Sequence, residues 1–175
     1  MENLLDTKIQ TDRLILTPIS EIYRDQVFQE FTLEITRYMN PKPAENISQT
    51  DAFIKESIES MQKGEELVVA IVQKDTGEFI GCAGLHHINT KTPELGVWTK
   101  KSAHGNKYGR EALTALKNWA DENLNYEYIS YPVDKKNIAS RKIPESLGGI
   151  VAREMKKINA SGQELDEVEY KIYKK

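Results

Sequence analysis

The sequence predicts a single α/β domain over residues 1–175, with strands and helices alternating along the chain. Three observations support this fold class. A chain of this length fits one domain and buries roughly two-thirds of its unfolded surface. The composition, 39% hydrophobic and 29% charged, is ordinary for a globular protein and argues against disorder. The hydrophobic pattern switches repeatedly between the strand period and the helix period.

The N-terminal half is predicted to hold a strand, two helices and three further strands. Residues 13–17 form the first strand, and an apolar face at helical spacing predicts a helix over residues 21–37. Ser48, followed by Asp51 three residues later, resembles a capping box for the second helix, which Gly64 stops. The next three strands are placed at residues 67–72, 79–88 and 94–99.

The C-terminal half continues with helix, strand, helix and two strands. A helix is predicted over residues 109–123, a strand over 128–133 and a short helix over 138–147. Pro144 lies inside the short helix and is expected to kink it, at a cost of about 3 kcal/mol if a hydrogen bond is lost. The last two strands are placed at residues 150–159 and 167–173.

Bulk properties exclude several classes of protein. The net charge of −3 does not indicate a nucleic-acid partner, and a lone Cys82 allows no internal disulfide. No apolar run is long enough to span a membrane, and residues 1–6 do not resemble a signal peptide. No His/Cys cluster has zinc-site spacing. We therefore expect a cytoplasmic protein without a membrane segment or a bound metal.

Local charge is uneven. Residues 20–66 carry ten acidic and five basic side chains, whereas residues 100–142 carry nine basic and five acidic ones. A basic half suits a polyanionic ligand and an acidic half suits a cationic one. Alternatively, both runs are only solvated faces.

The loop over residues 104–109 precedes the long helix and is here called the phosphate loop. Free backbone N–H groups and the helix dipole favour an anion at a helix start, and glycines let the backbone approach it closely. Lys107 and Arg110 add positive charge. An ordinary glycine-containing connection is the alternative. The loop reads His104-Gly105-Asn106-Lys107-Tyr108-Gly109.

Several segments together resemble the GCN5-related N-acetyltransferases (GNAT). Residues 93–98 (PELGVW), the phosphate loop and residues 109–113 (GREAL) look like the family's central motif. Residues 137–142 (NIASRK), closing with Leu147 and Gly148, are similar to the motif that follows. Residues 11–16 (TDRLIL) resemble the opening of the Rim-like branch, which includes ribosomal-protein N-acetyltransferases.

The resemblance implies a GNAT fold, with a mostly antiparallel, splayed central sheet flanked by helices in three layers. It implies direct transfer of acetyl from acetyl-CoA to a primary amine, without a covalent intermediate. The acceptor is a protein or peptide N-terminus or a small-molecule amine. A polyamine- or drug-specific acetyltransferase, or an acetyl-CoA-binding sensor without catalysis, remains the alternative. A monomer and a homodimer are both compatible with the sequence.

The resemblance also implies the cofactor-binding residues. The strand backbone at residues 97–99 would pair with the pantetheine arm, and the phosphate loop with Arg110 would hold the pyrophosphate. Asn137 would offer its amide to the arm, and Lys136, Arg141 or Lys142 would reach the outer phosphate. The implied set outside the loop is Val97, Trp98, Thr99, Arg110, Asn137, Arg141 and Lys142.

Three residues are candidates for catalysis. Glu94 is the leading base for the amine, directly or through water, although a strand-end acid is often only solvated. His86 is an alternative; it is adjacent to His87 on a strand, so only one of the two histidines faces a site. Ser140 is the family-matched proton donor to the departing thiolate, or else a helix-start cap.

The motifs depart from the family pattern at four positions. His104 stands where the family loop usually has Gln or Arg. Lys107 stands where the family loop usually has glycine, and an L-residue in a left-handed conformation costs roughly 1–2 kcal/mol, which predicts an altered loop path. Pro144 is unusual inside the short helix. Gly149 stands where the family often has an aromatic residue.

Overall fold

A computed structural model describes residues 3–175 and shows one eight-stranded sheet flanked by four α-helices. Residues 1 and 2, part of the stretch in which we expected no signal peptide, lie outside the described residues. The strands are β1 (Ile9–Gln10), β2 (Leu14–Pro18), β3 (Leu67–Gln73), β4 (Phe79–His86), β5 (Glu94–Thr99), β6 (Tyr128–Asp134), β7 (Ile150–Ile158) and β8 (Glu164–Tyr173). The helices are α1 (Arg24–Glu30), α2 (Ile47–Gln62), α3 (Tyr108–Asn123) and α4 (Ile138–Ser146).

The sheet runs in the order β1-β2-β3-β4-β5-β6-β8-β7, and every neighbouring pair is antiparallel except β5 and β6. Alternate side chains of β5 show which helices cover which face. Trp98 packs on Phe31, which follows α1, whereas Val97 lies next to Gly109 of α3. The predicted three-layer α/β arrangement with a mostly antiparallel sheet is confirmed. Within residues 3–175, no helix is long and apolar enough to cross a membrane.

The centre of the sheet forms the core. All of β3 except its last residue is buried, as is all of β4 except His86, because helices cover both faces. A nearly continuous apolar run is the expected sequence of such a strand. At the far edge, β7 is mostly exposed and leaves one side of the sheet unprotected.

The predicted order of elements is confirmed, but the first helix was predicted too long. It covers Arg24–Glu30 after a short 3₁₀ turn, and the chain from residue 32 to 40 forms turns and bends. The Thr32 side chain accepts a hydrogen bond from the N–H of Ile35 (3.3 Å), and such local bonds compete with helical ones. This irregular segment approaches the β7–β8 turn, where Asn159 donates to the carbonyl of Met39.

The predicted capping box is also wrong. The N-cap of α2 is Asn46, whose side-chain oxygen accepts from the N–H of Gln49 at 3.2 Å. Ser48 lies inside the first turn instead. The other predicted bounds agree within two residues, except that β8 begins three residues earlier, at Glu164. The two-residue strand β1 was not predicted, because its only signal is its pairing with β2.

Pro144 lies in the last turn of α4 and the helix ends two residues later. The Pro144 carbonyl accepts the N–H of Gly149 (2.8 Å), and the Glu145 carbonyl accepts the N–H of Gly148 (3.1 Å). With Gly148 at φ 77°, these bonds form a Schellman cap. A Cβ at Gly149 would lie 2.8 Å from the Pro144 carbonyl oxygen, so an aromatic residue does not fit this geometry.

Candidate active site

The sheet opens between β5 and β6. These two parallel strands share a single register pair, Glu94 with Ser130, and the N–H of Ser130 donates to the carbonyl of Pro93 (2.7 Å). The backbone N–H two residues further along a strand points to the same side, and this position is Pro132, which has no N–H. The ladder therefore stops there, and the strands diverge.

A cleft of about 500 Å³ occupies this opening. On the α1–α2 face it is bordered by Glu94, Gly96 and Trp98, the residues of β5 whose side chains or Cα atoms point that way. On the α3–α4 face it is bordered by Tyr131 and Ser140. The cleft thus connects the two faces of the sheet.

The phosphate loop ends at the start of α3 with free backbone donors. The first helical bond runs from the N–H of Glu111 to the carbonyl of Lys107 (3.1 Å), and no side chain caps the helix. The N–H groups of Tyr108, Gly109 and Arg110 therefore lack helical partners. An uncapped helix start beside basic residues fits a bound phosphate.

Two side chains fix the shape of this loop. His104 contacts the carbonyl of Thr99 through Nε2 (2.9 Å), and Asn106 donates to the carbonyl of Ala103 (3.0 Å). Lys107 itself adopts the left-handed conformation, with φ 60° and ψ 26°. We expected Lys107 to alter the loop path so that it avoids the left-handed conformation. The structure shows the opposite, because Lys107 adopts that conformation in spite of its cost.

Arg13, from the TDRLIL segment, contacts the phosphate loop and the start of α3. Its Nη2 donates to the carbonyl of Asn106 (2.9 Å) and its Nε to Glu111 (3.1 Å), and its guanidinium lies 4.5 Å from the centre of the Tyr108 ring. Sequence reasoning assigned Arg13 no site role, because these contacts join residues 93 or more positions apart. Arg13 therefore links the loop backbone to the first turn of α3.

The substitution Arg13→Ala is expected to weaken acetyl-CoA binding about tenfold, since it removes two charge-assisted hydrogen bonds that hold the loop. Calorimetric titration with acetyl-CoA measures the change in Kd. Arg24→Ala is the matched control, because Arg24 pairs with Asp25 and Asp51 on the helices of the other face. An unchanged Kd in Arg13→Ala would contradict a role in ordering the loop.

The residues expected to hold the pantetheine arm do not all share one face. A Cβ at Gly109 would lie 3.6 Å from the side chains of Val97 and Ile143, so the loop, β5 and α4 converge there. The Trp98 ring lies on the opposite face, 4.9 Å from the Phe31 ring centre. Trp98 can thus offer the arm only its backbone, while its ring lines the other side of the cleft.

The two basic residues of α4 differ in their surroundings. Arg141 donates to the Tyr170 hydroxyl (3.2 Å) and to the carbonyl of Lys135 (3.3 Å). Lys142 is exposed. Of the two, Lys142 has the freer access to an outer phosphate, and Arg141 joins α4 to β8.

Ser140 hydrogen-bonds with Tyr131 across the α3–α4 face of the cleft, with 2.7 Å between the hydroxyl oxygens. Ser140 is not the cap of α4. Asn137 is the N-cap, and its side chain accepts a hydrogen bond from the N–H of Ser140 (3.3 Å). Burial raises the pKa of Tyr131 to about 12, although the hydrogen bond to Ser140 opposes the shift. Tyr131 is therefore protonated at neutral pH and can donate. Sequence reasoning assigned Tyr131 no role, because it lies on β6, nine positions before Ser140 and outside the short helix.

Glu94 and His86 lie opposite each other on β5 and β4 and both border the cleft. His86 Nδ1 lies 2.7 Å from a carboxylate oxygen of Glu66, just before β3. His87 is exposed, has a left-handed backbone (φ 55°) and does not border the cleft. Cys82 is buried, which raises the pKa of its thiol, so a packing role in the core fits better than a nucleophilic one.

The charge argument for a cationic acceptor does not extend to the cleft. None of the ten acidic residues of segment 20–66 borders it, and the one charged residue that this segment contributes is Lys42. The other charged linings are Glu94, Glu167 and Lys157, the last two forming a 3.0 Å ion pair. The acidic run is therefore mainly a solvated face.

The site therefore combines a mixed sheet that opens between two parallel strands with an uncapped helix start beside the opening. The model of the acetyltransferase (GNAT) domain matches residues 13–150, and the chain belongs to this family. It is an acetyl-CoA-dependent acyltransferase.

Similar proteins agree with this assignment. The uncharacterized N-acetyltransferase p20 of Bacillus licheniformis is 28% identical over 142 residues, covering 79% of this chain and 80% of p20. RimL, a ribosomal L7/L12 α-N-protein acetyltransferase solved with coenzyme A, has a TM-score of 0.84 at 18% identity and covers 95% and 98% of the two chains. Spermidine N-acetyltransferase of Vibrio cholerae, solved with CoA and spermine, has a TM-score of 0.81 at 15% identity and covers 94% and 97%. At these identities the two structures show a shared fold.

Proposed function

We propose that residues 1–175 form one acetyltransferase domain that acetylates a primary amine by direct attack, without a covalent enzyme intermediate. The observation that carries this proposal is the cleft through the sheet. It joins a face with free N–H donors and the Ser140–Tyr131 pair to a face with Glu94 and His86. Acetyl-CoA supplies the activated acetyl thioester.

The α3–α4 face would hold the donor. The open N–H groups at the start of α3, with Lys107 and Arg110, would bind its pyrophosphate. The β5 backbone at Val97 and Thr99 and the amide of Asn137 would bind the arm. An N–H near Val97 would stabilise negative charge on the thioester oxygen. Ser140, supported by Tyr131, would give a proton to the departing sulfur.

The α1–α2 face would hold the acceptor, and Glu94, directly or through water, or His86 would take its proton. The charged lining here is balanced, with two carboxylates and two lysines. Aromatic rings of Phe28, Phe31, Phe53 and Trp98 form much of the remaining wall. This lining favours a peptide N-terminus or a small amine next to an apolar group over a polyamine.

Thiol release from acetyl-CoA, measured across N-terminal peptides, alkyl and aryl amines and polyamines, tests the proposal. We expect turnover with at least one monoamine class. Calorimetry separates the alternatives. Binding of acetyl-CoA without turnover on any amine would favour the sensor, and absence of heat at millimolar acetyl-CoA would overturn every cofactor-based function.

Glu94→Gln is expected to lower kcat/KM for an accepted amine about a hundredfold or more, because the cleft then loses the carboxylate that faces the acceptor's positive charge. The Kd for acetyl-CoA should not change. Glu56→Gln, an exposed glutamate of α2, is the matched control. A Glu94→Gln enzyme with the parent's kcat/KM would remove Glu94 from the active site.

A further inference from the structure

His86 is held in a defined orientation by two neighbours. Its Nδ1 lies 2.7 Å from Oε2 of Glu66. Because Leu67 of β3 pairs with Leu85 of β4, the preceding Glu66 lies opposite His86. Its ring folds back along β4 over Gly84. A Cβ at Gly84 would overlap Nε2 and would lie 2.8 Å from Cε1 of the imidazole. Only glycine at position 84 leaves room for this ring.

These contacts fix which ring nitrogen is basic. A carboxylate accepts but does not donate, so the nitrogen next to Glu66 carries the proton as Nδ1–H. The lone pair then lies on Nε2, above Gly84. In other histidine bases a carboxylate in this position holds the ring in the tautomer and orientation that catalysis needs.

The position of Nε2 matches the place where an amine can enter. Gly84 pairs with Gly96 of β5, and a Cβ at Gly96 would meet nothing within 4 Å. This open volume is bordered along β5 by Glu94 and Trp98, two residues before and after Gly96 on the same face. An ammonium group there would have a carboxylate, an aromatic ring and the imidazole around it.

We propose that His86, oriented by Glu66, is the base that takes the proton of the acceptor amine above Gly96. This inference rests on the proposed acetyl transfer. An N–H bond of the ammonium breaks and its proton moves to Nε2. The freed electron pair forms the bond to the acetyl carbon, the carbon–sulfur bond breaks, and the sulfur receives a proton from Ser140. The nitrogen of the new amide loses its second proton in the same step, and this proton restores the Ser140 hydroxyl. His86 is thus a catalytic residue, Glu66 a positioning residue, and Glu94 attracts the ammonium to the site.

The first test compares His86→Ala with the control His87→Asn on an accepted amine. His86→Ala should lower kcat about a hundredfold or more while leaving the KM for acetyl-CoA unchanged, and added free imidazole should restore part of kcat. His87→Asn should behave like the parent, since asparagine tolerates the left-handed backbone at this exposed position. A kcat within about threefold of the parent, or a loss that imidazole does not restore, would overturn the inference.

The second test moves the ring without removing it. Gly84→Ala should displace the imidazole, because the clash is with the free end of a side chain and the backbone can stay in place. Its kcat should fall although His86 is present, and its unfolding free energy should stay close to the parent's. A Gly84→Ala enzyme with full kcat would contradict the placement of Nε2.

The third test reads the tautomer directly. In ¹⁵N spectra of histidine-labelled protein, which contains three histidines, His86 should be protonated at Nδ1. Glu66→Ala should shift it toward the Nε2–H form and lower kcat, and added imidazole should not restore that loss. A His86 in the Nε2–H form in the parent would overturn the inference independently of activity. A parent inactive on all amines overturns the proposed function as well, whereas an active parent with an unaffected His86→Ala variant overturns this inference alone.

Discussion

Replacing Ser140 by alanine is expected to lower kcat for acetyl transfer about a hundredfold or more, with little change in the KM for acetyl-CoA. The Ser140 hydroxyl borders the cleft on the α3–α4 face, where the sulfur of the donor would leave. A departing thiolate that receives no proton remains a better nucleophile toward the new amide. The loss would therefore appear in the chemical step and not in binding.

Tyr131 makes this prediction sharper. Its hydroxyl lies 2.7 Å from that of Ser140, and a pKa of about 12 keeps it protonated across the usual assay range. Tyr131→Phe removes the hydroxyl while preserving the ring. If Tyr131 donates to Ser140 and Ser140 to the sulfur, the two groups act as one unit, and the double variant should lose little more than Ser140→Ala alone.

Ser146→Ala provides the control on the same helix, since the Ser146 hydroxyl bonds the carbonyl of Ile143 at the far end of α4. Its kcat should equal the parent's. Additive losses in the double variant would show that Tyr131 acts independently of Ser140. A Ser140→Ala enzyme with the parent's kcat would assign the proton donor elsewhere.

The predictable part of the fold was the part with strong periodicity. The buried run of β3 and the amphipathic face of α3 define their elements through local sequence alone. The helix prediction failed over residues 32–40 because threonine side chains there hydrogen-bond the local backbone. Hydrophobic spacing carries no information about that competition. The capping error at Ser48 has the same origin, since Asn46 offered an equally short polar side chain two residues earlier.

The predictable part of the site was the part carried by motifs. Spacing placed Ser140 three residues after Asn137, but the Tyr131 hydroxyl reaches it from another element. Strand alternation predicted that only one of the adjacent histidines faces the site, although His87 follows the end of β4 and is not part of the strand. The choice of His86, and its pairing with Glu66, depends on the register between β3 and β4, which no local pattern encodes.

The sequence itself marks the active-site opening at Pro132. Pro132 interrupts an otherwise regular strand, and a proline inside a strand normally marks an edge. In the structure it marks an internal edge, where β6 loses its partner β5 and the cleft begins. The missing backbone N–H of Pro132 therefore predicts, from the sequence, where the active-site opening begins.

Gly81→Ala is expected to destabilise the protein by about 3 kcal/mol, the upper end of the usual cost of overpacking. A Cβ at Gly81 would overlap the carbonyl oxygen of Trp98 and would lie 2.8 Å from Cα of Thr99. Both are backbone atoms of β5, so no side chain can move aside. The clash can be relieved only if β5 shifts away from β4.

The matched control is Gly96→Ala, fifteen positions later in the adjacent strand, where a Cβ meets nothing within 4 Å. Urea unfolding should place Gly96→Ala within about 0.5 kcal/mol of the parent, as for substitutions without a steric conflict. Equal stability of the two variants would mean that β4 and β5 are not packed as closely as this geometry requires. If Gly81→Ala remains folded, its displaced β5 should also weaken acetyl-CoA binding, because the same strand that closes on Gly81 carries the Val97 and Thr99 backbone at the edge of the cleft.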